Sequence, residues 1–160
     1  MVLKPPQVLQ LAPGQSLGLD SVRTRLAALW LGGSALVLVI LVLQSLLGRY
    51  GEKVQDVWGW ALPTLMPTLG MTVAGLGYTA LDPTMSETVV RRSFFNVAFW
   101  LSALYLALIL LTVLIQPFVG ADSQQALQMM RVSNLWLGPI QGLVGSALGV
   151  LFVSKRKQGE

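Results

Sequence analysis

Side chains that could carry out chemistry are scarce in this sequence. There is no histidine and no cysteine, which removes thiolate nucleophiles, disulfides, iron–sulfur clusters and most zinc or copper sites. Sequence motifs of metalloproteases, serine hydrolases and phosphate-binding loops are absent, and no base is present to activate a serine. Asp82 and Glu87 share one loop, but Arg91 and Arg92 follow about one helical turn later, so a salt-bridged surface is expected there. We therefore predict no catalytic residue, no cofactor and no metal site.

Long uncharged segments dominate the chain, which is 54% hydrophobic and 11% charged. Four such runs of 23, 25, 29 and 23 residues cover 26–48, 57–81, 93–121 and 132–154. A membrane-spanning helix needs about 20 apolar residues. The sequence therefore predicts an all-α integral membrane protein with four transmembrane helices in a bundle and short loops. The expected spans are 26–48, 57–81, 93–117 and 134–153.

Prolines and glycines near the start predict an irregular arm over residues 1–19, followed by one transmembrane domain over 20–160. Between Asp122 and Arg131 the polar segment begins with helix-capping residues and places Ala126, Leu127 and Met130 on one side. This pattern predicts a short helix near 123–131 that lies in the outer interface of the membrane.

Lysine and arginine positions predict the orientation. With four spans and the N-terminus inside, eight of the eleven lysines and arginines fall on the cytoplasmic side and three outside. This distribution follows the positive-inside rule and predicts a multi-pass protein of the cell membrane with both termini cytoplasmic. The basic character is then explained by topology, and we expect no nucleic-acid partner. Tryptophans near the ends of the runs are expected to anchor the helices at the membrane surfaces.

Four glycines form the clearest pattern of the fourth run, with intervals of four, three and four residues. At about 100° per residue they occupy a stripe about 60° wide on a helix. Because small residues allow another helix to approach closely, the stripe predicts a helix-packing face. Its partner is either a helix of the same chain or a helix of a second copy. The stripe consists of Gly138, Gly142, Gly145 and Gly149.

Hydroxyls and prolines distinguish the second run. Its threonines lie on one arc of a helix with the prolines on the neighbouring arc, opposite bulky leucines and valines. Two interpretations remain open: a kinked packing helix whose hydroxyls bond to its own carbonyls, or a hydroxyl-lined path or hinge. The residues concerned are Pro63, Thr64, Pro67, Thr68, Thr72 and Thr79.

The function most consistent with these patterns is non-enzymatic. No Asp, Glu, Lys, Arg or His interrupts the predicted spans, which disfavours proton-coupled transport. We expect a structural or assembly subunit, or an oligomeric helical bundle, that uses the glycine face of the fourth span. Its partners would be the lipid bilayer and either further copies of itself or another membrane subunit. The alternative is a homo-oligomeric pore or membrane-permeabilising effector of a stress or defence system, with the second span lining the opening.

Overall fold

A computed structural model describes residues 16–81, 89–119 and 123–153. Four long helices dominate it: α1 (Leu19–Leu46), α2 (Val54–Leu81), α3 (Arg92–Val119) and α4 (Ser123–Val153). Two short strands, β1 (Ser16–Gly18) and β2 (Val89–Arg91), precede α1 and α3. Of the predicted arm, residues 1–15 lie outside the described residues.

Three of the helices are long and apolar enough to cross a membrane. They are α1, the Arg92–Gln116 part of α3 and the Leu127–Phe152 part of α4. Over its described residues α2 does not reach the same hydropathy, since threonine, glycine and proline take the place of larger apolar residues. The structure is thus that of an all-helical membrane protein with at least three candidate spans.

The arm prediction needs a correction at its end. Ser16–Gly18 are not irregular but form an antiparallel pair with Val89–Arg91, in which Leu17 lies opposite Val90. The β-branched pair Val89 and Val90 favours an extended backbone, and pairing satisfies the polar groups of both segments. The pair brings the starts of α1 and α3 together at one end of the molecule.

Residues 123–131 are helical, as predicted, but they do not form a separate interfacial helix. They are the first turns of α4, which continues to Val153 without a break. At about 1.5 Å per residue its 31 residues extend about 46 Å, more than the thickness of a hydrocarbon core. No glycine or proline lies between Ser123 and Gly138 to interrupt it. The polar start of α4 therefore extends the predicted span rather than lying across it.

Side-chain contacts give the helix directions. The β1–β2 pair joins the starts of α1 and α3, and near the middles of these helices the rings of Trp30 and Tyr105 lie 5.9 Å apart. Towards their ends Gln44 donates to the carbonyl of Val113, so α1 and α3 run parallel. Trp58 at the start of α2 donates to Ser45 near the end of α1, as expected for consecutive antiparallel helices.

The turn between α1 and α2 depends on two glycines. Gly48 and Gly51 have φ of +69° and +50°, a left-handed conformation that costs glycine little. The amides of Leu47 and Arg49 bond back to carbonyls of α1, and a 3-10 turn over Gly51–Lys53 leads into α2. Tyr50 is buried here, donates to the side-chain oxygen of Gln44, and has its pKa raised to about 12 by burial.

Candidate functional site

The threonine arc of α2 faces the interior of the folded protein. Thr64, Thr68 and Thr72 are all buried, at no more than 5% exposure. Their hydroxyls donate to carbonyls of the same helix, those of Trp60, Leu65 and Thr68, at 2.6 to 3.0 Å. Such local bonds satisfy hydroxyls in an apolar environment. The side chain of Thr79 lies outside the described residues.

The proline arc of α2 has a different environment from the threonine arc. Pro63 and Pro67 are exposed on the outside of the chain, as are Gly70 and Gly77. By contrast, Leu65 from the predicted bulky side is fully buried. The buried side of α2 is therefore not confined to small residues. The buried side combines the threonines with Ala61 and Leu65, while the prolines share the outer surface with larger apolar residues.

The prolines nevertheless shape an interior contact. Because Pro67 has no amide hydrogen, the carbonyl of Pro63 has no partner four residues along the helix. The side chain of Gln141 in α4 donates to this carbonyl at 3.2 Å and to that of Thr64 at 3.3 Å. Tyr105 of α3 also donates to the carbonyl of Thr64, at 2.9 Å. A proline in one helix and an amide in another thus link α2, α3 and α4 near their middles.

Two glycines inside the chain permit close helix contact. A Cβ atom at Gly33 of α1 would lie 2.8 Å from a methyl carbon of Leu106 in α3. A Cβ atom at Gly75 of α2 would overlap the ring of Phe152 in α4. Since Gln141 contacts residues 63 and 64 while Phe152 contacts Gly75, α2 and α4 run parallel.

The glycine stripe of α4 has no such neighbour. At each of its four positions an added Cβ would meet no described atom within 4 Å beyond its own helix backbone. The buried residues Leu137, Val144 and Leu148 lie on the other side of the helix. The structure thus brings the four glycines together on one face, which is exposed at Gly138 and Gly142 and half-buried at Gly145 and Gly149. Those glycines are Gly138, Gly142, Gly145 and Gly149.

The residues that border this face include both apolar and polar side chains. Leu135 and Leu143 are 75% and 60% exposed, and Arg131 is exposed at the start of the stripe. Ser146 lies beside the stripe, and its hydroxyl donates to the carbonyl of Gly142 at 2.8 Å. The serine is thereby satisfied within its own helix, which suits a surface that contacts either lipid or another helix.

A buried arginine joins the start of α1 to the end of α4. Arg23 has no exposed surface. Its Nε donates to the carbonyl of Leu151 at 2.9 Å and its Nη2 to that of Phe152 at 3.3 Å. The guanidinium carbon also lies 5.9 Å from the centre of the Phe152 ring. These carbonyls belong to the last turn of α4, where the helix dipole is negative, so a cation stabilises them.

Sequence reasoning missed Arg23, which it treated only as a charge that sets orientation. The signal was its spacing: Leu19, Arg23, Leu26 and Trp30 recur at intervals of four, three and four, which places them on one helix face. All four are buried. Arg25, two residues later, is off this face and exposed. The two arginines therefore differ in role although their types and positions look alike.

Of the tryptophans expected to anchor the helices, two are buried inside the protein and two others are exposed. Trp30 is fully buried and Trp60 is 7% exposed, whereas Trp100 and Trp136 are 70% and 44% exposed. Trp30 packs against Tyr105 within the same core. The period of the apolar residues, rather than distance from a helix end, decides which rings are inside.

No protein-family model matches the chain, and comparisons with curated proteins and with solved structures find no match either.

Proposed function

We propose that the chain is a non-enzymatic membrane protein with four spans, whose helical bundle assembles with a second copy or another membrane subunit through the glycine face of α4. The observation that carries this proposal is the empty space in front of four consecutive stripe glycines. Elsewhere the chain uses glycine for close contact between helices, at Gly33 and Gly75. A glycine face of the same kind with no neighbour in its own chain fits a helix from outside it.

Inclusion of α2 as the fourth span is supported by its interior contacts. Its threonines are buried and its carbonyls accept bonds from α3 and α4. Helical backbone in a bilayer must satisfy its polar groups within the protein, and the bond from Gln141 does so where Pro67 removes a donor.

The orientation with both termini cytoplasmic is supported by the distribution of charge between the two ends. Arg23, Arg25, Arg91 and Arg92 lie at the end where α1 and α3 begin. The opposite end carries Arg49, Lys53 and Arg131 among the described residues. Reporter fusions after Glu160 and at Asp82 should both report cytoplasm, and a fusion at Asp122 should report the outside. An external C-terminus would contradict the four-span topology.

Assembly through the stripe is tested by Gly142→Leu, which places a bulky side chain at its centre. The mass of the detergent-solubilised protein should fall from that of an assembly to that of a single chain, because close helix approach is lost. Stability of the single chain should change by less than about 0.5 kcal/mol, because no described side chain contacts this position.

Gly32→Leu is the matched control, since Gly32 is another helical glycine with no described atom within 4 Å of an added Cβ. It should leave the mass unchanged. If Gly142→Leu also leaves the mass unchanged, the stripe contacts lipid and the proposed assembly role is wrong.

A further inference from the structure

A groove between α1 and α3 opens near the end where both helices begin. It has a volume of about 530 Å³, and its walls come from consecutive turns of the two helices. The lining residues are Arg25, Ala28, Leu29, Phe95, Asn96, Phe99 and Trp100. None of them is acidic.

The polar residues of the groove lie at the end nearer the starts of α1 and α3. Arg25 is in the second turn of α1 and Asn96 in the second turn of α3. Within the described part of the chain neither side chain has a hydrogen bond or an ion pair, and both are exposed. Arg92 lies one turn before Asn96 on the same face of α3 and is also exposed. A guanidinium, an amide and a second guanidinium are therefore available to an anion at this level.

The part of the groove further along α1 and α3 is apolar. Leu29 lies one turn beyond Arg25, and Phe99 and Trp100 lie one turn beyond Asn96, within the segments long and apolar enough to cross a membrane. Trp100 is 70% exposed along this wall. The groove thus changes from cationic to apolar along the direction in which a lipid changes from headgroup to acyl chain.

We propose that this groove binds an anionic phospholipid of the surrounding bilayer. Arg25 and Asn96 would hold its phosphate, and an acyl chain would lie against Leu29, Phe99 and Trp100. Charge complementarity selects an anionic lipid, since cationic pockets between membrane helices recognise such headgroups. The inference needs only that α1 and α3 span the membrane, and it does not depend on assembly through α4.

Native mass spectrometry of the protein in a neutral detergent tests the proposal with two lipids of the same chains, phosphatidylglycerol and phosphatidylcholine. Wild type should bind the first lipid about tenfold more tightly than the second, as one or two arginine contacts would give. Arg25→Gln should reduce this preference at least fivefold, and Arg25→Lys should retain most of it. Equal binding of the two lipids by wild type would overturn the proposal.

Arg49→Gln is the charge-matched control, since Arg49 is exposed in the turn at the other end of α1. It should leave the preference unchanged, and an effect equal to that of Arg25→Gln would show that net charge, not the groove, selects the lipid. Trp100→Ala should weaken the binding of both lipids by a similar factor, because the ring contacts the acyl chain. No effect of Trp100→Ala on either lipid would exclude the groove. Displacement of phosphatidylglycerol by equimolar glycerol phosphate would show a soluble ligand and contradict the lipid assignment.

Discussion

The inward and outward faces of α4 are both adapted to close approach, but only one of them has a neighbour. On the inward face Phe152 packs directly against Gly75, and Gln141 bonds to two carbonyls of α2. On the outward face the four stripe glycines have no described atom in front of them. The same helix therefore presents one occupied and one unoccupied packing surface.

This difference shows how glycine is interpreted in a membrane helix. Burial of apolar surface does not drive helices together in lipid, so close packing and hydrogen bonds must do so. A glycine pattern alone identifies a surface suited to packing but not its partner. The structure adds information about the partner, since it shows which glycines already contact another helix of the same chain.

The largest effect is expected at the occupied surface. Gly75→Leu forces a side chain into the ring of Phe152. Overpacking of this kind typically costs about 1 to 3 kcal/mol, and the overlap reaches the Cβ atom of Phe152, so we expect a loss near the upper end, about 3 kcal/mol. The measurement is the free energy of unfolding in mixed micelles.

Gly77→Leu is the control, because it places the same side chain in the same helix at a position where an added Cβ meets no described atom within 4 Å. It should change the free energy of unfolding by less than about 0.5 kcal/mol. Equal effects of the two substitutions would mean that α2 and α4 do not pack at Gly75, and the contrast between the faces of α4 would fail.

A somewhat smaller loss is expected at Arg23, which holds the last turn of α4 in place beside Gly75. Arg23→Met keeps most of the side chain's apolar length but leaves the carbonyls of Leu151 and Phe152 without these donors. Charged hydrogen bonds contribute about 1.5 to 3 kcal/mol, so the free energy of unfolding should fall by about 2 kcal/mol. Arg49→Met is the control, because Arg49 is exposed in the turn after α1. A loss at Arg49 equal to that at Arg23 would mean that charge alone, not the bond to α4, is responsible.

The contrast between buried Arg23 and exposed Arg25 shows how much of the structure the sequence could predict. Uncharged runs predicted the helices well: α3 covers Arg92–Val119 where 93–117 was expected, and α2 covers the expected 57–81. Run length reports only the absence of charge, however, and a buried Arg23 is invisible to it. Only the spacing of Arg23 relative to Leu19, Leu26 and Trp30 carries that information.

The candidate sites were predictable to different degrees. The stripe follows from helix geometry alone, so the four glycines that share a face on a helical projection of the sequence also share one in the structure. Whether that face is inside or outside depends on which other helix approaches, and this is a tertiary property. Leu65 is a different case, since it lies three residues from Thr68, about 60° away around the helix, and is buried beside it.

An intermediate effect of about 1 kcal/mol is expected for Gln141→Leu, which removes the donor to the carbonyls of Pro63 and Thr64. Interhelical hydrogen bonds in membrane proteins contribute about 0.6 kcal/mol on average and up to about 1.7. In a Pro67→Ala background the cost should be smaller, because residue 67 then supplies an amide to the carbonyl of Pro63. A double-mutant cycle of unfolding free energies measures this coupling. Strict additivity would show that Gln141 does not compensate for Pro67.

The smallest effect on stability is expected for Thr68→Val, and it also separates the subunit from the pore. The hydroxyl of Thr68 bonds to Leu65 of its own helix and is buried inside the chain. Its loss should change the free energy of unfolding by about 1 kcal/mol or less. Val73→Thr is the control, since Val73 is 55% exposed on the other side of α2 and the exchange is reversed.

Ion flux in liposomes is measured for both variants. If the protein assembles through α4 alone, neither variant alters flux. If Thr68 lines a conduit, the valine makes a narrow constriction dewet and flux falls at normal assembly, whereas Val73→Thr has no effect. We expect no change in flux, because a hydroxyl already bonded to its own helix and enclosed by neighbouring helices offers nothing to a passing ion. A conductance change confined to Thr68→Val would reverse that conclusion and assign α2, rather than α4, the functional surface.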